Sequence, residues 1–184
     1  PNVYIDAPTL GAEVLEVPSR DGLGVPTEDV LAAIDERTRL VSVSHVLFQT
    51  AYVLDAAAIC AKARAVGAHV LLDCFQSAGT FPVDVQALGC GFATGGVLKW
   101  LCGGPGGAWL YVRKDLLDTL EPAFTGWVAH AEPFAFAPPP MRYAHGAYRF
   151  MTGTPNVPAL YAAEAGPALV VEAGKPVEIV FENP

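Results

Sequence analysis

Short runs of β-branched and aliphatic residues alternate with longer alanine-rich runs along most of this chain, and that alternation predicts an α/β domain. Residues 13–17 are expected as a strand, closed by Pro18 and the turn at Asp21 and Gly22. A helix is expected over 26–36, with Thr27 as its N-cap and Glu28 and Asp29 in its first turn. Residues 40–46 (LVSVSHV) read as a buried strand. A second helix is expected over 55–66, capped by Asp55 and stopped at Gly67. A short apolar strand follows over 69–72 and ends at Asp73. Residues 82–88 read as a helix or turn, 92–94 as a short strand, and 108–113 (AWLYVR) as a last strand before a helical turn at Lys114. Strands and helices in this order predict a mostly parallel sheet with helices on both faces.

The texture changes after Pro122. Residues 124–155 hold Trp127, His130, His145, many prolines and several aromatics, which reads as a long ordered loop too apolar for a linker. An alanine-rich helix is expected over 158–171, and the tail at 175–184 fits no continuing pattern.

Composition narrows the possibilities. A hydrophobic fraction of 52% with 16% charged residues in 184 describes a globular domain with a substantial core. The net charge of -8, without a lysine or arginine cluster, argues against a nucleic-acid partner. No run approaches the roughly 20 apolar residues of a membrane helix, and the first ten residues lack the pattern of a signal peptide. Cys60, Cys74, Cys90 and Cys102 show neither CxxC nor Cys/His spacing, so reduced thiols in a cytoplasmic protein are expected, and no metal site.

The chemistry gathers at the strand tips. Asp73 ends a buried apolar strand, where ligands collect in open α/β sheets. A carboxylate there is costly unless something cationic meets it. Lys99 follows another strand within GGVLKWLCGGPGG, flanked by Leu98, Trp100 and Leu101. If that lysine is buried, its amine is expected to be neutral and nucleophilic. An acid and an amine so placed suit pyridoxal phosphate, although a structural salt bridge or a snorkelling surface lysine has the same signature.

The surrounding residues decide between them. DCFQSAGTFPVDVQALGCGF followed by GGVLKWLCGGPGGAWLYVR resembles the cofactor segment of the class V aminotransferases, especially their kynureninase-like branch. The resemblance continues upstream through GLGVPTEDVLAAIDERTRLVSVSHVLFQTAYVLD and downstream through TGWVAHAEPFAF and YRFMTGTPNVPALYAAEAG. It implies an incomplete fold type I large domain over 1–174, an unassigned tail at 175–184, and an enzyme acting on an amino acid with pyridoxal 5'-phosphate. Lys99 matches the catalytic lysine that forms the Schiff base, Asp73 the acid facing the pyridine nitrogen, and Gln76 the residue at the phenolic oxygen. His45 matches a position near the cofactor. Family members form homodimers, and Gly153 and Thr154 resemble the segment reaching a neighbouring subunit's phosphate, with Trp127 close to it.

Plainer roles stand beside these. Gln76 could cap the turn after Asp73, Trp127 could be packing, and His45 could be a satisfied core histidine. Ser44 and Ser77 could each donate to an anion, although hydroxyls near strand ends usually satisfy backbone groups. The match also departs from the family pattern. Gly96 and Leu98 stand where many members hold phosphate with a hydroxyl and a His or Tyr, and Gly91 replaces an aspartate. Segments with the ring-stacking aromatic and the carboxylate-gripping arginine are missing. A truncated, non-catalytic remnant or partner subunit that keeps the fold and dimer surface is therefore the alternative. A desulfurase would need a mobile cysteine, and none of the four is placed for that.

Overall fold

A computed structural model describes residues 11–164. Four strands form one sheet in sequence order: β1 (Leu40–Ser44), β2 (His69–Asp73), β3 (Phe92–Gly96) and β4 (Ala108–Val112). The β1–β2 and β2–β3 pairs are parallel, and β4 returns antiparallel to β3. The sheet is mostly parallel, as expected, and with its helices forms part of an α/β large domain.

The long helix α2 (Ala56–Ala65) shows why these residues fold as they do. Asp55 caps it by accepting from the Ala58 N–H at 2.9 Å, and Gly67 follows at a φ of 78°. Ala56, Ile59, Cys60 and Ala63 recur at helical spacing and are buried. The small Ala56, Cys60 and Ala63 let the helix lie close on β2, where Ile59 packs in one core with Val70 and Leu72 and with Ala93 of β3. Burying one side chain such as Leu72 or Ile59 stabilises the fold by about 1.5–3 kcal/mol. The helix α1 (Thr27–Ala33) packs on α2 and adds Val30, while the short α3 (Val85–Leu88) is capped by Asp84, which accepts from the Gln86 and Ala87 N–H groups.

Several local expectations change. Residues 13–17 form no strand: Val14 and Leu15 are exposed, and the segment has no ladder partner among the described residues. The N-cap of α1 is Pro26, not Thr27, and no side chain caps it. That helix also stops at Ala33, because Asp35 is drawn into a turn in which it accepts from the Arg37 N–H. Strand β1 ends at Ser44, and Val46 pairs instead with Val53 in a small hairpin.

Beyond β4 comes the helical turn α4 (Lys114–Leu117), then a loop with three 3-10 turns at Trp127–Ala129, Pro133–Ala135 and Gly146–Phe150. Buried Arg149 holds this loop in place. Its guanidinium donates to the Ala144 and Leu120 carbonyls and meets Asp118 at 3.2 Å. The last described helix, α5 (Val157–Glu164), begins near the expected position. Its continuation to Val171, the boundary at Gly174 and the tail at 175–184 lie outside the described residues. No helix among the described residues is long and apolar enough to cross a membrane.

Candidate active site

Asp73 closes β2 beside Thr94 of β3, its ladder partner. Side chains of directly paired residues share a face, and residues two apart on a strand do too. The Asp73 carboxylate therefore lies on the same face as Gly96, the side of the sheet away from Leu72 and α2. A Cβ on Gly96 would overlap the ring of Phe75, so that ring occupies this face. The Lys99 amine sits 6.0 Å from the centroid of the same ring. Asp73 thus ends one strand and Lys99 follows the neighbouring one, with the Phe75 ring beside the amine.

Asp73 is half-buried and Lys99 exposed. One carboxylate oxygen of Asp73 accepts from the Phe75 N–H at 2.8 Å. Asp73 and Lys99 form no ion pair among the described residues. Lys99 is exposed, so the burial expected to neutralise its amine is not found in this chain. The reason lies in its flanks: Leu98, Trp100 and Leu101 are themselves exposed and form no wall around the amine.

Gln76 lies in the turn after β2, where its Oε1 accepts from the Trp100 indole N–H at 3.1 Å. His45 follows β1, and its backbone N–H donates to the Asp73 carbonyl at 2.9 Å. Its ring is buried, with Nδ1 3.2 Å from the Ser77 hydroxyl and the Phe81 ring edge-on at 5.2 Å. Burial pushes the imidazole below its ordinary range, favouring the neutral ring. Sequence reasoning assigned Ser77 to backbone groups, but its partner is this imidazole.

The structure gathers Asp73, Gln76, His45 and Lys99 at one end of the sheet, and places the other three elsewhere. Trp127 is exposed and packs against Phe134, edge-on at 5.4 Å, and Phe136, stacked at 6.4 Å. The preceding Gly126 donates its N–H to the Met151 carbonyl, and a Cβ on it would strike the Thr152 carbonyl. That contact joins the Trp127 turn to the segment bearing Gly153 and Thr154. These last two residues line an open cleft of about 470 Å³ with Thr94, Trp109 and Phe150.

The donor set fits a pyridine aldehyde: an amine with no ion-pair partner among the described residues, a carboxylate with one oxygen spent on the backbone, and an amide, with an aromatic ring beside the amine. Phe75 and Trp100 are the contributors that sequence reasoning missed. Their place beside Asp73 and Lys99 in the chain was the available signal.

The sequence pattern of the aminotransferase class-V family matches residues 7–176. The chain belongs to that family. The class-V chain is 39% identical over 158 residues to the uncharacterized aminotransferase YcbU of Bacillus subtilis (strain 168), covering 86% of this chain and 41% of that protein. It is 39% identical over 145 residues to a kynureninase of Deinococcus radiodurans, covering 76% of this chain and 34% of that enzyme. The class-V chain thus spans about two fifths or less of the length of these relatives.

Solved structures agree on the fold. A cysteine desulfurase from Thermococcus onnurineus NA1 superposes with a TM-score of 0.76 at 26% identity, covering 87% of this chain and 39% of that one. The cystine C–S lyase C-DES superposes with a TM-score of 0.69 at 29% identity, covering 82% and 40%. A mutant of C-DES carries glycine covalently linked to its PLP cofactor.

Proposed function

We propose that this chain is the cofactor-binding core of a pyridoxal-phosphate-dependent enzyme acting on an amino acid, with Lys99 supplying the amine that joins the cofactor. What supports this is that Asp73 ends one strand and Lys99 follows the neighbouring one, with the Phe75 ring beside the amine. When bound, the cofactor supplies an electron sink for carbanions at the substrate α-carbon. The chain's own residues prepare its place. Asp73 offers a carboxylate that keeps a pyridine nitrogen protonated, and Gln76, steadied by Trp100, offers an amide to a ring oxygen. Lys99 would hold the cofactor through its amine and would be the group placed to hold or move a proton at the substrate α-carbon.

Kynureninase-like cleavage and class V amino transfer are the reactions we favour, because the curated relatives named above are a kynureninase and an aminotransferase. In this reading the protein works as a homodimer. Trp127, Gly153 and Thr154 form their own cluster and serve the cofactor phosphate of a second copy.

Adding pyridoxal phosphate to the full-length protein tests this. A visible absorbance band that borohydride abolishes and that Lys99→Ala lacks is the expected result. A protein that stays colourless with added cofactor supports the non-catalytic remnant instead. A band that persists in Lys99→Ala overturns the lysine assignment.

A further inference from the structure

Two polar side chains lie buried beside the candidate site and face each other. His45 is 7% exposed and Ser77 is fully buried, at 0%. They come from segments 32 residues apart, one just beyond β1 and the other in the turn after β2, and meet at 3.2 Å. Backbone bonds tie the two to the stretch after β2 and to its neighbours. The His45 N–H donates to the Asp73 carbonyl, and its own carbonyl accepts from the Leu54 N–H at 3.0 Å. The Ser77 N–H donates to the Cys74 carbonyl at 3.2 Å, and the Cys74 N–H reaches across to the Thr94 carbonyl at 2.7 Å.

Residues 73–77 are therefore pinned at both ends, and the His45–Ser77 bond is the side-chain link that closes the loop. Asp73 and Gln76, the acid and amide of the proposed site, lie on the pinned stretch between those ends. A buried hydroxyl–imidazole pair left half-made is costly, so its two members hold each other in one arrangement.

We propose that Ser77 and His45 are a positioning pair, whose hydrogen bond fixes the Asp73 carboxylate and the Gln76 amide in the orientation that receives the cofactor ring. This rests on the reading of the site given under Proposed function. It assigns His45 an indirect role, acting through Asp73 and not on the cofactor itself.

The test uses the full-length protein loaded with pyridoxal phosphate and reads the visible band, not turnover. Ser77→Ala is expected to weaken cofactor binding about fivefold, the weight of one ordinary hydrogen bond, and to move the pH midpoint of the band. Ser77→Thr, which keeps the hydroxyl, is expected to restore both. His45→Phe is expected to match Ser77→Ala, and the double variant to be no worse than either single one, since all three break one bond. If Ser77→Ala does not fold, His45→Asn takes its place in the same comparison.

Wild-type affinity and an unmoved midpoint in both single variants overturn the pairing, as does a double variant in which the two losses add. A wild-type protein with no visible band refutes the cofactor reading and the positioning role together. A normal wild-type band that neither variant moves refutes the positioning role alone.

Discussion

The indole of Trp100 donates to the side-chain carbonyl of Gln76 at 3.1 Å, tying the residue after Lys99 to the residue three beyond Asp73. The bond is exposed, so removing it has little effect on folding. Trp100→Phe keeps a ring and loses the donor. It is expected to change unfolding free energy by less than about 1 kcal/mol while weakening cofactor binding severalfold. Denaturation and a cofactor titration on the same sample check this, and unchanged binding counts against Gln76 as a ring-oxygen contact.

Gly79 is the glycine of the Ser-Ala-Gly motif, and its backbone explains the motif. It sits at a φ of 92°, and a Cβ there would lie 2.7 Å from the Trp100 carbonyl carbon. The turn after β2 and the segment carrying Lys99 are in contact at this point. Gly79→Ala is expected to destabilise by about 1–3 kcal/mol, combining a disfavoured backbone angle with the forced separation of the two segments. An alanine variant as stable as the wild type in chemical denaturation contradicts that contact.

Thiol chemistry follows burial. Cys60, Cys74 and Cys90 are buried, and Cys102 is exposed. Burial, with the neighbouring Cys90 adding to it, pushes the Cys60 thiol up to about 11, and burial raises Cys74 and Cys90 as well. The thiolate is the reactive form, so at neutral pH alkylation of the native protein is expected at Cys102 first, with the other three reacting only on unfolding. Peptide mapping after a brief exposure reads this directly, and early labelling of Cys60 contradicts the packing of α2 on the sheet.

The loop bearing Trp127 and Thr154 is expected to loosen in acid. The Gly146 N–H, followed by the Arg149 and His145 charges, holds the Asp118 carboxyl below its ordinary value of 3.8. A carboxyl lowered by folding contributes stability that is present above its unfolded value and lost as pH falls through the folded one. Asp118→Asn is therefore expected to flatten the acid side of the stability–pH curve below about pH 4 and leave the neutral region nearly unchanged. Arg149→Met, which strips the Leu120 and Ala144 carbonyls of their donor, is expected to cost about 2 kcal/mol at neutral pH. A wild-type acid limb in Asp118→Asn contradicts this role.

Much of the fold was legible because its signals are local. Asp55 and Gly67 mark the ends of α2, and the apolar run His69–Leu72 marks a strand buried on one face. The segment at 13–17 misled because a short β-branched run forms a strand only where a partner completes the ladder. Asp73 and Lys99 stood out as charges in apolar surroundings, but apolar neighbours in sequence do not make a wall in space. Lys99 is exposed because Leu98 and Trp100 point outward with it. The His45–Ser77 bond could not be read from the chain, since it depends on the parallel register of β1 and β2.

Borohydride reduction of the full-length protein loaded with pyridoxal phosphate, followed by mass mapping of its peptides, tests the central assignment most directly. The account predicts the reduced cofactor on the peptide containing Lys99, and its loss when Lys99 is replaced. Cofactor fixed on Lys62, Lys114 or Lys175, or on no lysine of this segment, would contradict it.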